Sequence, residues 1–266
     1  MARYHAGMTV LAVVNQKGGT GKTTTAVNLA ASLSVQGARV LVVDLDPQAT
    51  ASAWLGQIQG GRGLADLLTE GTGTLSELIL RSTAPGVDVV PSSSTLTGVE
   101  RYHALSGTPG AEYVLRDALR SLRNRYDWIF IDCSPSLGLL VISALTAADG
   151  VLVPVETSVL AYTAVGQLLK TVDAVQSRLN PKLEITGMLA CRVSRTRHAQ
   201  DVMDLLRKRF GSQVLKTQIR ETVRLREAAA HKVPITEYAP SSIGAEDYTH
   251  LAIELMAYHH GVQSAS

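Results

Sequence analysis

Residues 15–24 combine lysines, glycines and threonines at a spacing that suits phosphate binding. Glycines let backbone N–H groups converge on phosphate oxygens, and the start of a following helix favours anions. Lys22 is expected to bridge the β- and γ-phosphates of a nucleoside triphosphate, and the Thr23 hydroxyl is expected to bind Mg²⁺. The sequence therefore predicts a nucleoside triphosphate site whose phosphate-binding residues are Lys17, Gly18, Gly19, Thr20, Gly21, Lys22, Thr23 and Thr24.

The loop departs from the usual G-x-x-x-x-G-K-[ST] pattern at its beginning. Gln16 stands where the first glycine is usual, and a second lysine, Lys17, enters the loop. Two lysines beside one triphosphate repel each other unless both meet phosphate charge. We therefore expect both lysines to contact phosphate.

Carboxylates end two apolar segments further along the chain. The run LVVDLDPQ carries Asp44 and Asp46, and residues 128–132 (WIFID) end in Asp132. The carboxyl ends of strands face the nucleotide crevice of an open α/β sheet. Asp44 and Asp46 alternate along their strand, so both could reach Mg²⁺ or an attacking water, or they could instead cap Thr50 or the next turn. Asp132 is expected to hold Mg²⁺ through water.

The elements that must position these groups alternate between short β-branched runs and longer helical patterns. This order predicts a doubly wound, mainly parallel α/β sheet with helices on both faces. The predicted strands are Thr9–Val14, Val40–Val43, Val87–Val90, Trp128–Ile131, Val151–Val155, Ile185–Ala190 and Val214–Ile219. The predicted helices are Lys22–Gln36, Leu64–Leu68, Leu75–Leu80, Glu112–Arg125, Leu137–Ala147, Val159–Leu179, Ala199–Phe210 and Ala245–Tyr258.

Composition limits the class of protein. With 266 residues, 45% of them hydrophobic and 18% charged, the chain can bury a large core. It has no apolar run of about 18 residues and no secretory signal pattern, and its two cysteines exclude a disulfide scaffold. We expect a cytoplasmic protein with a flexible extension at 1–8, a single ATPase domain at 9–258 and a frayed tail at 259–266.

Charge is unevenly distributed along the chain. Between Thr186 and Lys232 there are eleven Lys and Arg against four Asp and Glu, a net charge of +7, whereas the remainder carries −5. This segregation favours a polyanionic partner. A set of solvated helix faces is the alternative explanation.

The loop KGGTGKTT and the two carboxylate segments, in this order, resemble the deviant Walker motifs of the ParA/MinD family of ATPases. The resemblance extends from Thr9 to about Met256. It implies that Lys17 crosses a dimer interface to the nucleotide of the other subunit. It also implies that Asp46 positions the hydrolytic water, with Asp44 nearer the metal. The expected catalytic residues are then Lys17, Lys22 and Asp46, and the expected metal-site residues are Thr23, Asp46, Asp132 and Asp44.

Two branches of this family fit the sequence poorly. The nitrogenase iron protein branch holds an interfacial cluster with two cysteines per subunit, but Cys133 and Cys191 are expected to be packed, reduced thiols. A MinD-like protein would end in a basic amphipathic helix. The C-terminal pattern around Leu251 and Leu255 contains no Lys or Arg, so we expect no stable membrane anchor.

The segment VRLREA at residues 223–228 resembles the V-R-L-x-E-A segment of chromosomal ParA/Soj proteins, whose arginine contributes to DNA binding. Ala229 stands where these proteins usually have proline. The resemblance implies a DNA contact by Arg224, and the basic segment makes Arg195, Arg197 and Arg226 the next candidates. It also places Ile219 and Arg220 near the adenine.

The resemblance and the basic segment together imply a DNA-partitioning ATPase. An ATP-sandwiched homodimer would bind double-stranded DNA on the nucleoid without reading its sequence, and a ParB-like adaptor would stimulate an otherwise slow hydrolysis. A positioning ATPase for a protein cargo, or a MinD-like division-site ATPase, is the alternative within the family. A soluble metabolic P-loop synthetase is the alternative outside it, and the Lys17 signature argues against that class.

Overall fold

The chain forms one eight-stranded sheet, seen in a computed structural model that describes residues 8–57, 63–122, 124–157 and 159–263. The strand order is β3-β4-β2-β5-β1-β6-β7-β8, and all neighbours are parallel except the β3–β4 pair. The strands are β1 (Thr9–Val13), β2 (Val40–Leu45), β3 (Leu80–Arg81), β4 (Val87–Val90), β5 (Trp128–Cys133), β6 (Gly150–Glu156), β7 (Glu184–Val193) and β8 (Val214–Arg220).

Helices connect these strands and cover both faces of the sheet. They are α1 (Lys22–Val35), α2 (Thr50–Trp54), α3 (Leu64–Glu70), α4 (Thr97–Ser106), α5 (Val114–Arg120), α6 (Leu139–Ala147), α7 (Val159–Arg178), α8 (Arg197–Phe210), α9 (Val223–Ala230), α10 (Ile235–Tyr238) and α11 (Ile243–Gln263). Short 3₁₀ turns lie at Leu75–Leu78, Ser94–Leu96, Ala111–Tyr113 and Gly211–Gln213. None of the helices in the described ranges is long and apolar enough to span a membrane.

The central strands are buried on both sides because each face of the sheet has its own hydrophobic core. Along β1, Val10 and Ala12 join the core beneath α3 to α8, whereas Leu11 and Val13 join the core beneath α1 and α9 to α11. Parallel sheets need this double cover, which explains the continuous apolar runs in the sequence. The predicted doubly wound α/β fold is confirmed.

The differences from the predicted elements lie where tertiary contacts decide the local structure. Helices α2, α4, α9 and α10 and the two-residue strand β3 were not predicted. The helix predicted at Leu75–Leu80 is a 3₁₀ turn that ends at Leu78, because Leu80 pairs with Val89 in the sheet.

The two terminal segments expected from the sequence lie only partly within the described residues. Helix α11 continues to Gln263, so the first residues of the segment expected to be frayed are helical. Nearly all of the expected N-terminal extension lies outside the described residues, as do residues 264–266.

Candidate nucleotide site

A cavity of about 510 Å³ opens at the carboxyl end of the sheet. Its walls come from the phosphate loop after β1, from Asp46 and Gln48 after β2, and from the segments that follow β7 and β8. This is where an open α/β sheet places its ligand. Of the predicted phosphate-loop residues, those that line the cavity are Gly18, Gly19, Gly21, Lys22, Thr23 and Thr24.

The phosphate loop takes its shape from two glycines in the left-handed region. Gly19 has φ of 77° and Gly21 has φ of 95°, values that residues with a Cβ rarely adopt. Gly21 immediately precedes α1, so the free N–H groups of the first helical turn face the cavity. Thr20 is buried, and its hydroxyl donates to the carbonyl oxygen of Lys17 at 3.4 Å, so it supports the loop from inside.

Lys22 lies at the base of the cavity and is only 7% exposed. Its Nζ donates to the carbonyl of Lys17 at 3.4 Å. Burial lowers the pKa of Lys22, and the nearby charges of Asp132, Cys133 and Asp46 oppose that shift. An ammonium in this position gains from an incoming phosphate, because phosphate charge would offset its desolvation.

Asp132, in β5, pairs in register with Val13 of β1 on one side and with Asp44 of β2 on the other. It is completely buried, and neither carboxylate oxygen has a hydrogen-bond partner in the described part of the chain. Burial raises the pKa of Asp132 well above its usual range, and the charge of Asp44 raises it further. A buried carboxylate without a donor fits a cation, directly or through water.

These residues fit Mg²⁺ bound together with a nucleotide. No group of three His, Cys, Asp or Glu side chains converges as a metal site in the described residues. Mg²⁺ is commonly held by one or two carboxylates with substrate phosphates and water, so such a group is not required. Thr23 and Asp132 would hold the ion, which would neutralise charge on the β- and γ-phosphates.

Asp44 and Asp46 take different positions, although both follow β2. Asp46 lines the cavity, and its Oδ1 accepts the N–H of Gln48 at 2.9 Å. Asp44 is fully buried and accepts hydrogen bonds from Ser52 and from the backbone N–H of Asp46. Burial raises the pKa of Asp44 to about 6, against the effect of these hydrogen bonds.

In this structure Asp44 caps the turn that follows β2, which is the alternative that the sequence left open. Its three hydrogen bonds come from the N–H of Asp46 and from the N–H and hydroxyl of Ser52 in α2, and it does not line the cavity. Sequence spacing placed both carboxylates on one side of the strand. The strand, however, ends at Leu45, so the alternation does not continue to Asp46.

Lys17 forms an ion pair with Glu156 at the end of β6, with 2.5 Å between Nζ and Oε2. Glu156 also pairs with Arg192 at 3.3 Å. Lys17 does not line the cavity. Glu156 was missed in the sequence analysis, although its signal, an acid at the end of an apolar strand, is the one that identified Asp132.

Ile219 and Arg220, which the resemblance placed near the adenine, also line the cavity. Asp247 accepts hydrogen bonds from the Arg220 backbone N–H at 2.8 Å and from its guanidinium at 2.5 Å, and Glu246 also accepts from the guanidinium. These hydrogen bonds raise the pKa of Arg220 above its usual value. Arg220 is thus held in place by α11. Cys191 and Tyr248 line the cavity as well, and both contact the Thr25 hydroxyl of α1.

The predicted DNA-binding arginines divide into two groups. Arg195 and Arg197 are exposed just after β7, and Arg224 is exposed on α9. The loops that follow β7 and β8 are adjacent, because the N–H of Glu221 donates to the carbonyl of Val193 at 3.1 Å. Arg226, although exposed, also lines the nucleotide cavity. The structure therefore brings Arg226 to the nucleotide site and leaves the others on the outer surface.

The two cysteines are buried in different cores, Cys133 in the one beneath α3 to α8 and Cys191 in the one beneath α1 and α9 to α11. Burial raises the pKa of Cys191 to about 12 and that of Cys133 well above its usual range. Both are packed thiols, as predicted.

Comparison with known proteins agrees with this geometry. Residues 8–185 match the family described as AAA domain. The sporulation initiation inhibitor protein Soj of Bacillus subtilis is 43% identical, over 93% of this chain and 98% of its own length. The chromosome partitioning protein ParA of Caulobacter vibrioides is 38% identical, over 93% of this chain and 94% of its own length.

The chain belongs to the ParA/Soj family of ATPases. It is thus a P-loop ATPase with ATP and Mg²⁺ as its cofactors. A solved structure described as cobyrinic acid a,c-diamide synthase of Mycobacterium smegmatis, with bound ATP analogue and magnesium, superposes with a TM-score of 0.81. It is 36% identical to this ParA/Soj family member and covers 94% of both chains.

Proposed function

We propose that this ATPase partitions DNA. Two subunits close on ATP, with Lys17 crossing to the phosphates on the other subunit, and the dimer holds double-stranded DNA without reading its sequence. A ParB-like adaptor on the cargo stimulates hydrolysis, and the subunits then release the DNA on the nucleoid. The proposal is supported by the 38–43% identity of this chain to Soj and to ParA, the second of which is a chromosome partitioning protein.

Helix α9 carries the proposal, because it lines the nucleotide cavity and also bears Arg224, the proposed DNA-binding residue. Leu225, Arg226 and Ala229 of α9 line the nucleotide cavity. Arg224, on the same two-turn helix, is 59% exposed in its side chain. A shift of α9 on nucleotide binding would therefore move the DNA-binding residue directly.

The surface around Arg224 suits a polyanion. Arg195 and Arg197 follow β7, whose end is hydrogen-bonded to the segment before α9, and these three side chains are exposed. Non-specific DNA binding needs cations that reach phosphates rather than base edges. Dimerisation would double this set of phosphate contacts.

The test is retardation of a random-sequence duplex by the wild-type protein, with Mg²⁺ and either ATP or ADP, over a range of salt concentrations. Each phosphate contact contributes about −0.9 to the slope of log K against log salt. We expect tighter binding and a steeper slope with ATP than with ADP. No retardation with ATP at low salt would contradict the proposal.

A metabolic synthetase is the second candidate, because the similar M. smegmatis structure carries the name of a diamide synthase. Such an enzyme would turn over ATP with a carboxylate substrate and ammonia. ATP hydrolysis measured with cobyrinic acid and ammonia, and separately with random-sequence duplex, distinguishes the two. We expect stimulation by the duplex alone.

A further inference from the structure

A closed ring of hydrogen bonds joins the main chain of Asp46 to three buried side chains. Asp44 Oδ1 accepts the N–H of Asp46 at 3.1 Å, and Asp44 Oδ2 accepts the Ser52 hydroxyl at 2.6 Å. The Ser52 oxygen accepts the N–H of Ser92 at 2.8 Å. The Ser92 hydroxyl donates to the carbonyl of Asp46 at 2.6 Å, so the ring ends on the residue where it began.

The chemistry of the groups determines the direction of every hydrogen bond in this ring. The Ser52 hydroxyl has one proton, which it donates to Asp44, and its oxygen is left to accept from Ser92. The carbonyl of Asp46 can only accept, so Ser92 donates to it. Asp44, Ser52 and Ser92 are 0%, 1% and 2% exposed. Water therefore does not readily replace a hydrogen-bonding group that is removed from the ring.

The turn that carries Asp46 depends on outside support. Ala49 has φ of 52°, in the left-handed region that a Cβ disfavours. Its N–H donates to the carbonyl of Asp46 at 2.8 Å, the same oxygen that accepts from Ser92. Ser92 follows β4 and comes from a different part of the chain. It therefore ties this turn to the neighbouring strand.

We propose that Ser52 and Ser92 are positioning residues for ATP hydrolysis, which act by holding the main chain of Asp46 from both sides. The inference rests on the proposed role of Asp46 in positioning the hydrolytic water. Misplacing a group at the reaction centre by about 1 Å costs about 100-fold in rate. The phosphates are bound by a separate loop, so loss of a ring member should lower kcat and leave the KM for ATP in place.

The experiment compares the steady-state kinetics of Ser92→Ala and Ser52→Ala with those of wild type. The matched control is Ser32→Ala on α1, since Ser32 is 1% exposed and its hydroxyl has no partner among the described residues. We expect both ring variants to lose at least about tenfold in kcat, with KM within about twofold, and the control to keep both values. Ser92→Thr, which retains the hydroxyl, should recover kcat to within about threefold.

Several outcomes would overturn the proposal. They are a wild-type kcat in both ring variants, a change confined to KM, and a loss that Ser92→Thr does not recover. If Ser92→Ala does not fold, Ser92→Cys replaces it, because a thiol of similar size is a weak donor, and a wild-type kcat there also overturns the proposal.

Asp46→Ala separates this inference from the role on which it rests. Turnover retained in Asp46→Ala would remove that residue from water positioning, so the failure would belong to the proposed mechanism. An inactive Asp46→Ala beside a fully active Ser92→Ala would overturn the ring proposal alone.

Discussion

The nucleotide site and the arginine surface beside it hold their charges in different ways. Asp44 and Asp132 are fully buried, and Lys22 nearly so. Arg224, in contrast, meets Glu227 at 2.9 Å through side chains that are 59% and 37% exposed. Buried charges are held in one arrangement because a change leaves one of them unpaired, whereas exposed pairs are screened and exchange easily. The first region suits one defined ligand, and the second is the surface on which we propose that DNA binds.

Replacing Lys22 by alanine removes a nearly buried positive charge from the nucleotide site and should have the largest effect. The carboxylates of Asp132 and Asp46 would remain beside the cavity without the ammonium that now opposes them. We expect ATP affinity to fall at least tenfold, about 1.4 kcal/mol, in a titration with labelled ATP. Unchanged affinity would remove Lys22 from the phosphate site.

Lys17→Ala tests the lysine that lies outside the cavity of its own subunit. Since Lys22 is left in place to meet the phosphates, this variant should bind ATP but remain monomeric in light scattering with ATP and Mg²⁺. Glu156→Gln is the control, because it removes the charge that now pairs with Lys17 and keeps the lysine. A normal, active ATP dimer of Lys17→Ala would contradict the role proposed for that residue.

The nucleotide site was largely predictable because its chemistry is local in sequence. The glycines, Lys22 and Thr23 occupy one short segment, and Asp132 ends an apolar strand. The ring through Ser52 and Ser92 was not predictable, because residues 40 apart meet only in the folded sheet. Helix α9 was missed for a similar reason. Its one fully buried residue, Ala228, gives no periodic pattern, and its place depends on packing against α10.

Trp54→Phe tests a hydrogen bond between α2 and the segment that follows α9, and it should have the smallest effect. Trp54, at the end of α2, is 4% exposed, and its Nε1 donates to the carbonyl of Val233 beyond α9 at 2.8 Å. Phenylalanine keeps most of the packing but loses this donor, so we expect the free energy of unfolding in urea to fall by about 1 kcal/mol. ATP affinity should not change. An unaltered urea midpoint would show that this hydrogen bond adds no stability.

The most direct test of the account is DNA retention by Arg224→Glu with ATP and Mg²⁺. The control is Arg178→Glu, the same change of charge in the last turn of α7, at the opposite end of the sheet. We predict that Arg224→Glu still forms the ATP-dependent dimer but no longer retards random-sequence duplex at low salt, whereas Arg178→Glu binds as wild type does. Wild-type retention by Arg224→Glu would contradict the account.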